Sequence, residues 1–363
     1  MMVSKALIVS AYHGKLVALA AQPDLELLAI SPYAWRGPGY RQAAEPVRPL
    51  GYELVHSRIW LDGHYHLYLF PSLGRLVRRF KPDVLHIDEE PYNVATWHAC
   101  RIANSVGARC VFFAWQNIVR RYPPPFSWIE GYVYAHSDGV AGTAEAANVL
   151  RRKGFGRHLA EIPQFGIDPD VFVPVQRPRD IGHLRVGYAG RLVPEKGVDV
   201  LIDAVRSAGD GVELVIAGQG PAECSLRRLA SAAPNISFIG PLSSKGMPAF
   251  YQGLDVFVQP TVGRSGWTEQ FGRSAVEAMA CGVATVVSDS GELPDVVGNS
   301  ARVVPSGRAD VLAETLGELR RNSDLRDSLG VSGRAHVLKR YAHAQIALST
   351  AEFYRAILDT PSI

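Results

Sequence analysis

The sequence predicts an α/β protein built from two doubly wound parallel sheets. Three observations carry that expectation. The chain has 363 residues, enough for about two domains. Short apolar runs alternate with amphipathic stretches along both halves, the pattern of parallel strands joined by crossover helices. A segment rich in Pro and Asp, residues 163–180, separates the two series, and its end, residues 176–183, reads as a linker.

The first series places strands at residues 5–11, 25–31, 52–56, 84–87, 110–114 and 139–142, with amphipathic stretches at 69–80 and 92–106. Pro123–Pro125 with Trp128 reads as a rigid loop carrying aromatic bulk. The second series places strands at 184–189, 212–217, 236–239, 256–259, 283–287 and 302–304. Its helices fall at 198–208, 222–233 and 309–338, and a last one at 342–358. The domains expected are therefore residues 1–175, a linker at 176–183, residues 184–341, and a final helix at 342–363. Ligand would lie in a cleft at the carboxyl ends of the strands.

Composition narrows the function classes. Hydrophobic residues make up 47% and charged residues 20%, as in a soluble globular protein. A net charge of +3 implies no nucleic-acid partner. Cys100, Cys110, Cys224 and Cys281 show no ligand spacing, so neither a disulfide framework nor a zinc site is expected, which fits a cytoplasmic location. No apolar run reaches about 18 residues, the length that spans a bilayer. The opening residues read as a strand rather than a signal peptide. Arg75, Arg78, Arg79 and Lys81, then Arg120 and Arg121, then Arg151, Arg152 and Lys153, form basic clusters. They read either as solvated faces or as a peripheral contact with the anionic inner face of a membrane.

The most informative stretch is Glu269-Gln-Phe-Gly-Arg-Ser-Ala-Val-Glu277. Glu277 is the only charged residue between Ser274 and Val287, and a carboxylate in an apolar run requires a partner. Glu269 precedes the helix, whose free N-terminal amides suit phosphate. The second domain opens with Gly190-Arg191 and, within six residues, Lys196-Gly197. A guanidinium fork and a point charge together suit a pyrophosphate. Gly218 with Gly220, Gly240, and Asp289-Ser-Gly-Glu292 close further strand-end loops, where glycine lets a base or ribose approach the backbone. The plain structural reading of the two glutamates is a salt-bridged core acid and a helix cap.

Taken in order, these pieces resemble the glycosyltransferases of family 4, with the match running from Gly187 to Gly298. The resemblance implies the GT-B fold: two Rossmann-like domains facing a central cleft, with a C-terminal helix returning to the first. It implies a retaining transfer of sugar from a nucleoside-diphosphate sugar to a glycan, lipid-linked or small-molecule acceptor hydroxyl, in polysaccharide, glycolipid or glycoconjugate synthesis. Carried over by position, Arg191 and Lys196 would hold the diphosphate. Glu269 would grip the donor sugar and Glu277 the ribose, with Gly14, Gly190, Gly218, Gly240, Phe271 and Gly272 completing the donor site. No metal or other cofactor is expected. The only Asp-x-Asp spacing, Asp168-Pro-Asp170, reads as a turn.

The first domain departs from the family pattern. It lacks the double glycine beside Gly14, and Trp115-Gln116-Asn117 stands where many relatives carry a histidine. His13, Asp88, Glu89 and Gln116 are the candidate acceptor-site residues, against the alternatives of a polar turn and helix capping. A catalytically silent nucleotide-sugar-binding protein, or another GT-B enzyme such as a sugar-nucleotide epimerase, remains the competing reading.

Overall fold

The computed structural model describes residues 1–37, 40–175, 182–263 and 267–360. Residues 176–181 of the expected linker and residues 264–266 of the loop before Glu269 lie outside the described residues. The chain divides into two compact units, Met1–Gly166 with His343–Ile363, and Ile167–Ala342. Residues 167–175, assigned to the first domain from the sequence, fold with the second unit. The backbone there is tied to the end of the second unit, with Ile167 N–H donating to Tyr341 O at 2.7 Å.

In chain order the first unit runs β1 (Met2–Val3), α1 (Gly14–Ala20), β2 (Leu28–Pro32), the hairpin β3 (Ala34–Gly37) and β4 (Tyr40–Ala43), β5 (Glu53–Ser57), α2 (Leu73–Phe80) and β6 (Val84–Ile87). It continues through α3 (Val94–Ser105), β7 (Arg109–Ala114), α4 (Phe126–His136), β8 (Asp138–Ala141), α5 (Ala144–Arg152) and β9 (Leu159–Glu161). The strands outside the hairpin form one parallel sheet in the order β5-β2-β1-β6-β7-β8-β9. β6 and β7 are buried at every position, which explains their unbroken apolar character: helices cover both sheet faces.

Three local readings differ from the sequence expectation. Residues 5–11 form no strand. Ser4 Oγ accepts the Ala6 N–H at 3.1 Å and turns the chain after two strand residues, so Lys5–Ile8 and Ser10–Tyr12 are 3₁₀ turns. Leu7 and Ile8 then bury into two separate apolar clusters, an outcome a run of alternating burial along one strand would also produce. The segment read as a rigid aromatic loop is helix α4 from Phe126 onward, with Trp128 left exposed. The β3–β4 hairpin was not expected, since its strands are only four residues each.

The second unit runs β10 (Leu184–Ala189), α6 (Val198–Ala208), β11 (Val212–Ala217), α7 (Glu223–Leu229), β12 (Ile236–Gly240), α8 (Met247–Gln252) and β13 (Val256–Gln259). It continues through α9 (Arg273–Ala280), β14 (Ala284–Ser288), α10 (Leu293–Val297), β15 (Arg302–Val304), α11 (Ala309–Arg321) and α12 (Ser323–Tyr341). Its parallel sheet has the order β12-β11-β10-β13-β14-β15. Val186, Leu214, Val258 and Val286 line the sheet beneath Leu201, Ile202 and Val205 of α6 and Leu312, Leu316 and Leu319 of α11, apolar positions at helical spacing. The helices expected across 309–338 are α11 and α12, divided where Asn322 Oδ1 accepts the Leu325 N–H at 3.0 Å and restarts the helix.

The last helix, α13 (His343–Asp359), belongs to the first unit and packs on α1 through Leu16, Leu19, Ala347 and Ala351. Its Tyr354 hydroxyl meets His86 Nδ1 at 2.6 Å. Burial pushes the His86 pKa down to about 3, so the neutral ring accepts that bond. In each unit the sheet starts in the middle, runs to one edge and then crosses to the other side. The switch points fall between β1 and β6 and between β10 and β13, where open α/β sheets bind ligands at the carboxyl ends.

Candidate active site

The carboxylate of Glu269 lies at the switch point of the second unit. Lys196 Nζ donates to Glu269 Oε2, as do Gln259 Nε2 at 3.0 Å and Thr261 Oγ1 at 3.2 Å. Gln259 ends β13 and Thr261 follows it, while Lys196 closes the 3₁₀ turn Pro194–Lys196 beyond β10. Donors from the two strands that flank the switch therefore converge on one oxygen. Glu269 is 8% exposed, and three donors offset the cost of holding its charge there. The Lys196 ammonium also sits 5.1 Å from the centre of the Trp267 ring. The expected cation for the diphosphate and the expected carboxylate for the sugar are thus joined as one ion pair in this structure.

Glu277 has the partners its apolar surroundings demand. It lies one turn into α9, 5% exposed. Tyr251 Oη donates to Oε2 at 2.8 Å and Arg273 Nε to Oε1 at 2.7 Å. Burial, then the neighbouring Glu277 charge, pushes the Tyr251 phenol well above its usual range, so it stays a donor. Arg273 is the i,i+4 neighbour on the helix; Tyr251 comes from α8, 26 residues earlier, and no local pattern points to it.

Gly272 sets the helix entry. Its φ of 79° and ψ of 48° are left-handed, and a Cβ there would overlap Leu293 Cδ2. Ala275 and Val276 N–H donate back to Gly272 O at 2.9 and 3.3 Å, and the amides at the very start of α9 face the helix N-terminus, the end that suits an anion. The Phe271 ring is buried edge-on against Tyr341, with centroids 5.3 Å apart, so this residue offers its backbone and not its side chain.

Gly190, Gly218 and Gly240 end three neighbouring strands and touch one another. Gly190 N–H donates to Ala217 O at 3.0 Å and Gly218 N–H to Gly240 O at 2.8 Å; a Cβ on Gly218 would overlap Gly190 O. A side chain is therefore excluded at Gly218. Beside it the Arg191 guanidinium is exposed, with no hydrogen-bond or ion-pair partner among the described residues, while its carbonyl accepts from Tyr188 Oη at 3.0 Å. The Asp289–Glu292 loop closes on Glu269, whose carbonyl accepts the Glu292 N–H at 3.1 Å.

The first unit arranges its candidates differently. His13 is buried, with Nε2 2.8 Å from Leu7 O and Nδ1 2.6 Å from Tyr52 Oη. Burial lowers its pKa, so the neutral ring donates from Nε2 and accepts at Nδ1. Both nitrogens are engaged inside the fold, and the expectation of an acceptor-site His13 gives way to a structural histidine. Gly14 faces the His343 ring of α13, which a Cβ would overlap. Asp88 pairs with Lys15 at 3.5 Å; burial alone would raise its pKa, but the Lys15 charge foremost holds it below the usual value. Glu89 pairs with Lys5 and accepts from Asn93 Nδ2 at 3.4 Å.

Gln116 links to a cluster the sequence did not mark. Its Nε2 donates to Tyr122 Oη at 2.8 Å, and its Oε1 accepts from Lys153 Nζ at 3.1 Å. The Lys153 side chain is 6% exposed, pairs with Glu130 and lies 5.2 Å from the centre of the Tyr122 ring, so it is no part of a solvated basic face. Arg152 pairs with Glu145, and Arg151 caps the carbonyls of Phe155 and Arg157. Glu90, next to the named acids, accepts the Trp115 N–H at 2.8 Å; burial raises its pKa to about 7.

Among the described residues no group of three or more His, Cys, Asp or Glu side chains gathers to hold a metal, and no helix is long and apolar enough to cross a membrane. Asp168 Oδ1 accepts the Asp170 N–H at 2.9 Å, the geometry of an Asx turn.

Residues 176–336 match the model of the glycosyl transferases group 1 family. The chain is 29% identical over 326 residues to the phosphatidyl-myo-inositol mannosyltransferase of Mycobacterium leprae, covering 85% of this chain and 79% of that protein. It is 35% identical over 210 residues to the GDP-mannose-dependent monoacylated alpha-(1-6)-phosphatidylinositol monomannoside mannosyltransferase of Corynebacterium glutamicum, an alignment spanning 52% of this chain and 55% of that one. Among solved structures, the sucrose-phosphate synthase of Thermosynechococcus elongatus superposes with a TM-score of 0.71 at 17% identity, covering 99% of both chains. Anabaena HepE in complex with UDP superposes with a TM-score of 0.74 at 16% identity, covering 98% of this chain and 99% of that one. Residues 176–336 therefore match a glycosyl transferases group 1 domain, and the two parallel Rossmann-like sheets are those of the GT-B fold seen in the solved structures.

Proposed function

We propose that the protein transfers a sugar from a nucleoside-diphosphate sugar to an acceptor hydroxyl, with retention of anomeric configuration, in glycolipid or polysaccharide synthesis. The observation that carries this reading is the convergence of Lys196, Gln259 and Thr261 on Glu269 at the switch point of the second sheet. In this reading donor binding draws Lys196 from Glu269 onto the diphosphate. Arg191 joins it, and the two cations stabilise the charge that builds on the leaving group. Glu269, released from the ion pair but still held by Gln259 and Thr261, accepts from the sugar hydroxyls. Glu277, fixed by Tyr251 and Arg273, accepts from the ribose. The α9 amides and the glycine edge at Gly190, Gly218 and Gly240 lie against the phosphates and the nucleoside. Fixed cations and a helix end take the place of a metal, so no cofactor is used.

The named relatives guide the choice of substrates. GDP-mannose is the first donor to test and an inositol phospholipid the first acceptor, because the corynebacterial relative carries both in its name and the Mycobacterium leprae relative the phosphatidylinositol and the mannose. A lipid acceptor places the protein at the cytoplasmic face of a membrane. Arg75, Arg78, Arg79 and Lys81, all exposed on and after α2, are the cations for that contact. The test is a thermal-shift panel of nucleotide sugars, followed by NMR of the product made from the stabilising donor. A product with the donor's anomeric configuration supports the reading. An inverted product, or stabilisation with neither transfer nor hydrolysis, contradicts it.

A further inference from the structure

Two buried polar atoms beside Glu269 have no hydrogen-bond partner among the described residues: Gln259 Oε1 and Ser290 Oγ. Their residues are 5% and 4% exposed. Gln259 closes β13, and Ser290 lies just beyond β14, the strand paired with it, so both stand at the carboxyl edge of the second sheet. Gln259 reaches Glu269 through its side chain, donating from Nε2 to Oε2 at 3.0 Å. Ser290 is held there by the backbone that follows it. Gly291 lies so close that a Cβ would overlap Glu269 O, and Glu292 N–H donates to that oxygen at 3.1 Å.

Neither atom has a structural duty in its surroundings. The Glu269 carboxylate takes an N–H of the Gln259 carboxamide, which fixes the orientation of the group and leaves Oε1 as a pure acceptor. Ser290 stands shortly before α10, where a serine can cap a helix, yet α10 takes no side-chain cap. The neighbouring serines show the contrast: the Ser288 and Ser306 hydroxyls both donate to Thr261 O, at 2.5 and 3.3 Å. Leaving a buried hydroxyl or carboxamide oxygen unpaired destabilises a fold, so such atoms at a binding site call for a partner on the ligand.

We propose that Ser290 and Gln259 read one hydroxyl of the donor sugar and so select the sugar. A sugar hydroxyl both donates and accepts. Gln259 Oε1 can only accept and Ser290 Oγ is free to donate, so a single hydroxyl of the right configuration satisfies both. A donor without that hydroxyl leaves the two atoms unpaired, which is how a site built to hydrogen-bond its substrate rejects an analogue. Glu269 accepts from sugar hydroxyls and offers no donor; the Ser290–Gln259 pair supplies one acceptor and one donor, and with them the discrimination that a carboxylate alone lacks. In the transferase reading, on which this assignment rests, the sugar lies against Glu269.

The experiment compares the full chain with Ser290→Ala, a change that removes one unpaired hydroxyl and keeps the fold's own hydrogen bonds. Calorimetric titration is run with GDP, UDP, GDP-mannose and UDP-glucose, and then with the monodeoxy forms of the donor that binds. Wild type is expected to bind the parent donor about tenfold more tightly than one of those deoxy forms. Ser290→Ala is expected to lose about tenfold on the parent donor and nothing on that deoxy form, because the lost partner is already missing there. Its affinity for the nucleoside diphosphate alone and its melting temperature stay those of wild type. A variant that binds the parent donor as tightly as wild type overturns the assignment and means that solvent satisfies the hydroxyl. A variant that loses the same factor on the parent and on every deoxy form also overturns it, since the effect is then not tied to one hydroxyl. Wild-type protein that binds no nucleotide sugar removes the transferase reading and the assignment with it, an outcome distinct from the other two.

Discussion

Glu269 and Lys196 show how one contact can serve two roles. Paired, they satisfy each other inside the second unit; separated, they offer a carboxylate to hydroxyls and an ammonium to phosphate. Replacing Lys196 or Arg191 with Ala is expected to lower turnover by about 10²- to 10³-fold, on the order of 3 kcal/mol of transition-state stabilisation. The double variant loses less than the product of the two effects, because both cations act on one leaving group. Steady-state kinetics of the three variants checks this, and a single variant with wild-type turnover removes that residue from the site. Glu90 gives a second prediction at this scale. Its pKa is raised from 4.5 to about 7, first by burial and further by Glu89, with the Trp115 N–H, Lys5 and Lys153 opposing. The stability it contributes is complete below its unfolded value and is lost as pH rises through about 7. Glu90→Gln therefore raises the melting temperature at about pH 8 and leaves it unchanged near pH 4; equal curves at both values would mean that the carboxyl is not held neutral by the fold.

At the scale of elements, α9 is where local backbone and chemistry meet. Gly272 combines a left-handed φ of 79° with contact against Leu293. Gly272→Ala is expected to destabilise the second unit by roughly 1–3 kcal/mol, through strain in a conformation that L-residues avoid and overlap with α10. It also displaces the α9 amides, so nucleotide affinity falls with stability. Thermal melts and nucleotide titration measure both, and an unperturbed variant would show that the turn accommodates a side chain. The parallel strands of the second unit were legible in the sequence because apolar runs ended at glycine or proline. Leu184–Ala189, Val212–Ala217, Val256–Gln259 and Arg302–Val304 lie where the pattern put them. The opening strand was not legible: a run such as Ala6-Leu-Ile-Val reads the same whether it pairs or turns, and one Ser4 hydroxyl decides between them. The Glu277 partner Tyr251 and the Glu269 partners Gln259 and Thr261 were hidden for another reason, since tertiary contacts leave no period in the chain.

For the whole molecule, the charge distribution sets what each unit can bind. The second unit carries Arg191 and Lys196 in the loop that follows β10, Glu269 before α9 and Glu277 within it, a pattern read from sequence through the order of motifs and the family they resemble. The first unit, less like its relatives in sequence, turns His13 inward and gathers its chemistry at Glu90, Gln116 and Lys153. Those sites depend on loops that bring distant residues together, so spacing alone did not reveal them. Turnover in excess chelator is expected to match turnover without it, since the fixed cations and the α9 terminus supply the charge a metal would. Complete loss that magnesium or manganese restores would overturn the metal-free reading.

The central claim is that Glu277 and its neighbours form a nucleotide-sugar site, and calorimetric titration of GDP-mannose and UDP-glucose into wild type and Glu277→Gln tests it most directly. Glutamine keeps the side chain's shape and an acceptor for Tyr251, while the charge that holds ribose hydroxyls is removed. Wild type is expected to bind one of the two donors, and the variant to bind it at least about tenfold more weakly, a loss of about 1.4 kcal/mol or more. A variant that binds with undiminished affinity, or a wild type that binds no nucleotide sugar, would contradict the account.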